Sequence, residues 1–176
     1  MKTATTILLL GLSLASSASQ AVDSASFEYA TGNRTQFVRL GAQWRWDAAW
    51  FKSNGTHLGG YWDATLSQWR GTRYQGRDAT QSLTDIGFTP VFRFQNDSKR
   101  GIYYEGAVGV HYLSRIYDVN NRKFSTRFQF GDHIGIGYVT NDGWDVALKI
   151  QHFSNGSIKK PNPGANFIIL KAGREF

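Results

Sequence analysis

Trp144-Asp145-Val146-Ala147-Leu148-Lys149-Ile150-Gln151-His152-Phe153-Ser154 puts apolar side chains at even positions 144 to 150, with Asp145, Lys149 and Gln151 between them. Successive side chains of a strand point to opposite faces, so this stretch has one greasy and one polar face. A helix would need apolar residues three and four apart, and that period is not sustained here.

The same alternation recurs on both sides of it. Towards the N-terminus lie Val38, Leu40, Ala42, Trp44 and Trp46 with Arg39, Gln43 and Arg45 between them, then Leu58, Trp62, Ala64 and Leu66 opposite Asp63, Thr65 and Ser67. Ile86, Phe88, Pro90, Phe92 and Phe94 follow, then Ile102, Tyr104, Val108, Val110 and Tyr112. Phe124, Phe128, Phe130, Ile134, Ile136 and Tyr138 alternate with Arg127, Gln129 and His133. The chain closes on Ile168, Leu170, Ala172 and Phe176. A weaker strand over 25–31 makes eight.

Strands of this length, with charge on one face and aromatics at their ends (Trp44, Trp46, Tyr61, Trp62, Tyr138, Trp144), describe an all-β fold. The expectation is an eight-stranded antiparallel transmembrane β-barrel of the outer-membrane type. Closing the sheet pairs every backbone group, as lipid requires. A soluble lipocalin-type barrel is the competing fold and needs its apolar residues inside.

Composition narrows the rest. The chain has 176 residues, 41% hydrophobic and 15% aromatic, with 19 Gly, 3 Pro and no Cys, and a formal charge of +7. That suffices for one domain with a core. Without cysteine there are no disulfides, thiolate metal sites or cysteine nucleophiles. Lys and Arg are scattered rather than clustered, which argues against nucleic acid as a partner. Met1-Lys2, the apolar run Ile7 to Ala15 and the small residues Ser19-Gln20-Ala21 predict a signal peptide over 1–21, with the barrel domain over 22–176. Asn141-Asp142-Gly143 predicts a tight turn at the inner end, and the longer links 71–81, 114–123 and 155–165 predict outer loops. The link from Asp47 to Thr56 is long for an inner turn. Eight strands leave an interior filled by side chains, which argues against porin function; Arg93, Glu105, Asp63 and Arg127 are expected to pair there.

The four histidines show no zinc spacing, so no metal and no cofactor is expected. His111 and His133 fall in the interior register, and His57 is expected to be solvated. His152 and Ser154 differ, because both continue the lipid-facing series of residues 144 to 150. Polar groups are expensive there. At i and i+2 they share a face, in range for a general base to activate a serine nucleophile. The bland reading puts both in the interfacial band, where His and Ser are tolerated. Counting across the tight turn sets Phe130 opposite His152 and Asp132, also in the lipid-facing register, opposite Ile150. Asn155 and the loop to Gly164 carry amide donors suited to an oxyanion and two lysines suited to anionic head groups.

His152-Phe153-Ser154-Asn155-Gly156 followed by Pro161-Asn162-x-Gly164 resembles the signature of PagL-type lipid A 3-O-deacylases. So do Phe130-x-Asp132-x-Ile134-Gly135 and Gly60-Tyr61-Trp62-Asp63-Ala64. The resemblance implies a bacterial outer-membrane serine esterase with lipid A, or lipopolysaccharide, as substrate. On it, Ser154 matches the nucleophile and His152 the base, while Asn155, Gly156 and Asn162 lie around the oxyanion site. Phe130, with Ile150 and Ile168, would line an acyl groove; Lys159, Lys160, Arg70 or Arg73 would meet phosphates. One position departs. The family's histidine-orienting glutamate falls at Asn166, so either Asn166 orients His152, or Asp132 substitutes, or the enzyme is slow. A non-catalytic small barrel of adhesion or membrane-integrity type is the alternative, and oligomeric state is left open.

Overall fold

A computed structural model describes residues 21–176; the expected leader lies, apart from Ala21, outside the described residues. The strands are β1 (Ser24–Gly32), β2 (Thr35–Arg45), β3 (Trp50–Ser53), β4 (Thr56–Thr72), β5 (Thr80–Asn96), β6 (Gly101–Leu113), β7 (Asp118–Val119), β8 (Arg122–Lys123), β9 (Phe128–Val139), β10 (Trp144–Ser154) and β11 (Ala165–Glu175). Eight of them form one closed antiparallel wall. Neighbours run β2-β1-β11-β10-β9-β6-β5-β4, and β2 pairs back onto β4 through Thr35↔Gly71 to Arg45↔Tyr61.

The alternation decides which face is which. Leu40, Ile86, Val108, Ile134, Ile150 and Leu170 stand open on the outside of the wall, while Glu28, Arg39, Arg93, Glu105, Lys149 and Lys171 are buried inside. A continuous apolar outer band over a charged interior is stable in a bilayer and not in water. This distribution is the inverse of a lipocalin.

The interior is filled in two layers. Towards the ends bearing β1, β11 and β6 termini near Ser24, Glu175 and Gly101, Arg93 Nη2 lies 2.9 Å from Glu105 and 3.1 Å from Asp145, and Lys171 Nζ lies 2.9 Å from Asp145. Glu28 is held between Arg39 at 3.0 Å and Lys149 at 2.5 Å. Such pairing is what makes burial of these charges tolerable. At the other end the filling is aromatic. Phe37 stacks on Trp69 at 4.8 Å, and Phe153 and Phe167 meet Trp69 edge-on at 4.9 and 5.0 Å.

That aromatic end carries the connections 33–34, 73–79, 114–127 and 155–164, and the ionic end carries 46–55, 97–100 and 140–143. The three links expected to be outer loops thus share one end, while the long 46–55 link lies at the other. The 114–127 connection closes the mouth. Its Tyr117 and Phe124 are buried, and the Tyr117 phenol accepts a 2.8 Å bond from Asn33 Nδ2 and lies 2.8 Å from Thr35 Oγ1.

Several expectations need correction. Phe124 is not on the lipid wall and Arg127 is not in the lumen, because β9 starts only at Phe128; Phe124 belongs to the cap and Arg127 is exposed. Asp63 makes no ion pair with a cation among the described residues; it accepts from Gln43 Nε2 at 2.8 Å. Tyr61 faces inward, where its hydroxyl donates to Glu105 at 3.1 Å, so it is no girdle residue. His57 is buried, because the 97–100 turn folds Asp97 onto it, Oδ1 lying 2.9 Å from Nδ1. The turn at 140–143 is longer than a two-residue hairpin: Thr140 N donates to Trp144 O at 2.8 Å, with Gly143 at φ +88°. The pairing is therefore centred on Asp142, which sets Ser154 opposite Phe130 and His152 opposite Asp132. The long link from Asp47 to Thr56 contains β3, which folds back onto β4 and packs Trp50 beside Trp46 at 5.9 Å.

Candidate active site

β10 delivers His152 and Ser154 to the outside of the wall at its aromatic end, because Phe153 between them is wholly buried. Phe153 meets Trp69, Phe167 and the His111 ring, at 4.9 Å for the last. That inward anchor fixes the outward direction of its two neighbours.

On β11, Asn166 stands directly opposite His152 and is likewise flanked by a buried aromatic, Phe167. His152 Nδ1 donates to Asn166 Oδ1 at 2.5 Å. A carboxamide oxygen accepts only, so the proton sits on Nδ1 and Nε2 carries the free lone pair. Neither His152 Nε2 nor Ser154 Oγ has a hydrogen-bond partner among the described residues. Two residues apart on one face, their Cβ atoms are roughly 7 Å apart, within reach of each other's side chains. Asp132 flanks His152 on β9 and makes no hydrogen bond to it among the described residues.

The 155–164 loop covers the upper edge. Its turns need left-handed residues, supplied at Gly156 (φ +61°), Ser157 (φ +64°) and Gly164 (φ +62°). Gly164 is pressed against the imidazole: a Cβ there would lie 2.4 Å from His152 Cε1 and 2.9 Å from Nε2. Gly156 lies against Phe130, where a Cβ would come within 3.1 Å of the ring. Asn155 is fully buried and serves the loop itself. Its N–H donates to Asn162 Oδ1 at 3.1 Å, and its Nδ2 to Ser125 Oγ at 2.9 Å and Lys159 O at 2.7 Å. With all its donors engaged, Asn155 has none left for an oxyanion. Asn162 Nδ2 and the N–H groups of Gly156 and Ser157 remain uncommitted among the described residues.

Below the site the wall is apolar: Ile150 pairs with Ile134 on one side and Ile168 on the other, and all three are open to the outside. The four cations are split. Lys159 and Lys160 are exposed on the covering loop, whereas Arg70 lies on β4 and Arg73 just past its end. Four strand spacings, roughly 19 Å of wall, separate β4 from β10.

Sequence reasoning did not single out Phe153, Ser125 or Arg122. Phe153 had a signal, since an aromatic at an odd position breaks the polar interior series, as Phe37, Trp69 and Phe167 do. Ser125 and Arg122 had none, being polar residues in a remote polar loop.

An apolar-walled cylinder of eight strands whose outer face carries an imidazole, a carboxamide and a hydroxyl at the rim is a small outer-membrane barrel with a polar cluster turned to the lipid. A family model described as "Lipid A 3-O-deacylase (PagL)" matches residues 36–175. The lipid A deacylase PagL of Pseudomonas aeruginosa is 33% identical over 147 residues, covering 82% of this chain and 81% of that protein. Its namesake in Bordetella bronchiseptica is 28% identical over 175 residues, covering 97% and 93%. The crystal structure of the outer membrane enzyme PagL superposes with a TM-score of 0.75 at 25% identity, covering 87% of this chain and 99% of that one. The chain belongs to the PagL family of lipid A 3-O-deacylases, and is an ester hydrolase by that membership.

Proposed function

We propose that this protein removes the 3-O-linked hydroxyacyl chain of lipid A from within the outer membrane, with Ser154 as nucleophile, His152 as general base and Asn166 as the residue that orients it. The observation that carries the reading is the 2.5 Å bond from His152 Nδ1 to Asn166 Oδ1, which leaves Nε2 basic on the face it shares with Ser154. Lipid A in the outer leaflet presents its ester sideways to the wall, its acyl chains along Ile134, Ile150 and Ile168.

Ser154 Oγ attacks the ester carbonyl while Nε2 takes its proton. The oxyanion is met by Asn162 Nδ2 and the N–H groups of Gly156 and Ser157. Collapse expels the sugar 3-oxygen, which takes the proton back from Nε2 and leaves an acyl-serine. Nε2 then accepts a proton from water as it attacks the acyl carbonyl and passes it to Ser154 Oγ as the acyl–Oγ bond breaks; the 3-hydroxy fatty acid departs and Ser154 is restored. Asn166 holds the ring and its tautomer but brings no charge to the imidazolium. Lys159 and Lys160 stand where lipid A phosphates would pass.

Mass spectrometry of lipid A from cells making the wild-type protein should show loss of one 3-hydroxyacyl group, and cells making Ser154→Ala should show none. Deacylation surviving in a folded Ser154→Ala protein would remove the serine mechanism.

A further inference from the structure

We infer that Arg122, on the cap and thirty residues before the site in sequence, is a positioning residue for His152: it clamps the backbone of Pro163 and Gly164 against the imidazole. Arg122 Nη1 donates to Pro163 O at 2.7 Å and to Gly164 O at 3.2 Å. Gly164 is the residue that faces Cε1 and Nε2 of His152, so close that a Cβ on it would meet both atoms. The ring is thus gripped twice. Asn166 holds it at Nδ1, and the clamped loop backbone packs against Cε1 and the basic Nε2.

The clamp has a firm base. Arg122 belongs to the β7–β8 hairpin, which is tied to the neighbouring 33–34 and 73–79 connections through Asn120 Nδ2 to Asn33 Oδ1 at 3.2 Å and Asn120 N to Arg73 O at 3.1 Å. Ser125, three residues on, adds a second tie by donating to Lys159 O at 2.6 Å. A guanidinium is suited to this place because its donors lie in a fixed plane and can meet two adjacent carbonyls at once. The alternative task for a rim arginine, binding a phosphate of the substrate, would act on substrate affinity and not on the ring.

The inference rests on the deacylase reading, and one experiment separates the two. The full-length protein, purified in detergent, is assayed on lipid A in mixed micelles for kcat and KM. Reaction of Ser154 with a fluorophosphonate, which needs no lipid phosphate, is timed alongside. Arg122→Ala should lower kcat and the fluorophosphonate rate by about tenfold, the scale of one lost charge-assisted hydrogen bond, with KM held within about twofold. Arg122→Lys should recover part of both rates. Heat-modifiable migration in electrophoresis reports that the barrel is folded. Unchanged kcat in Arg122→Ala, or a rise in KM alone, would overturn the clamp and leave the deacylase standing. A wild-type protein that releases no fatty acid would instead sink the deacylase reading. Should Arg122→Ala not fold, Arg122→Gln, with one carboxamide donor, is judged by the same split between kcat and KM.

Discussion

His152 and Asn166 face each other across neighbouring antiparallel strands, and the imidazole gives its Nδ1 proton to the carboxamide oxygen at 2.5 Å. A carboxamide fixes the tautomer as well as a carboxylate does, yet adds no charge when the ring becomes cationic. Asn166→Glu should therefore raise kcat by about five- to tenfold, the difference between a neutral and a charged acceptor. Asn166→Leu, which accepts nothing, should lower it by about a hundredfold or more. Single-turnover release of the 3-hydroxy fatty acid from lipid A measures both.

Asp132 stands opposite His152 on the other side but bonds to nothing on it. Asp132→Ala should keep kcat within about threefold of the parent, since surface changes away from a bonded network are usually small. A collapse in rate for this variant, with Asn166→Leu unaffected, would transfer the orienting role to Asp132.

Gly164 fails to accept even a methyl group for two reasons. Its φ of +62° is left-handed, and the added carbon would lie 2.4 Å from His152 Cε1. Gly164→Ala should fold as a heat-modifiable barrel and lose about a hundredfold in kcat, the usual cost of displacing a catalytic group by about 1 Å. The same assay on Gly156→Ala tests the Phe130 side, where the approach is looser.

Arg93 joins Glu105 and Asp145 at the centre of the ionic layer, with its guanidinium 3.6 Å from the Tyr103 ring centroid. Arg93→Ala leaves two buried carboxylates short of a cation and should destabilise the barrel by about 3–5 kcal/mol. Urea unfolding in lipid vesicles gives the number, and intact stability would show that Lys171 compensates.

Tyr117 latches the cap, and burial pushes its phenol above the usual tyrosine value. The neutral phenol is the form the fold prefers. The latch's contribution is thus complete below the unfolded tyrosine value of about 10 and is lost as pH rises through the folded one. Tyr117→Phe should cost about 1–3 kcal/mol by stranding Asn33 and Thr35, and should flatten this alkaline loss. Thermal unfolding between neutral and alkaline pH compares the two proteins.

Much of the architecture was readable because a strand's two faces alternate and lipid tolerates only one kind of residue on the outer one. Leu148, Ile150 and their partners named the outer wall, and Lys149 and Gln151 the lumen. The same rule exposed His152 and Ser154 as residues out of place. It failed where the backbone leaves the strand: alternation has no meaning at Phe124 or Arg127, and His57 is buried by a turn that arrives from forty residues away. It also missed that the lumen is two environments, an ionic layer and an aromatic one around Trp69.

The one-dimensional pattern determined the wall, the direction its side chains face and the outward histidine–serine pair on it, because all three follow from a period of two along a single strand. Folding alone decided which groups serve that pair. The register across the 140–143 turn set Asp132, not Phe130, beside His152; Asn166 reached Nδ1 from the next strand; and the loop from 114 to 127 brought Arg122 to Gly164. Those meetings depend on turn lengths and on how connections cross the mouth of the barrel, which no local repeat encodes.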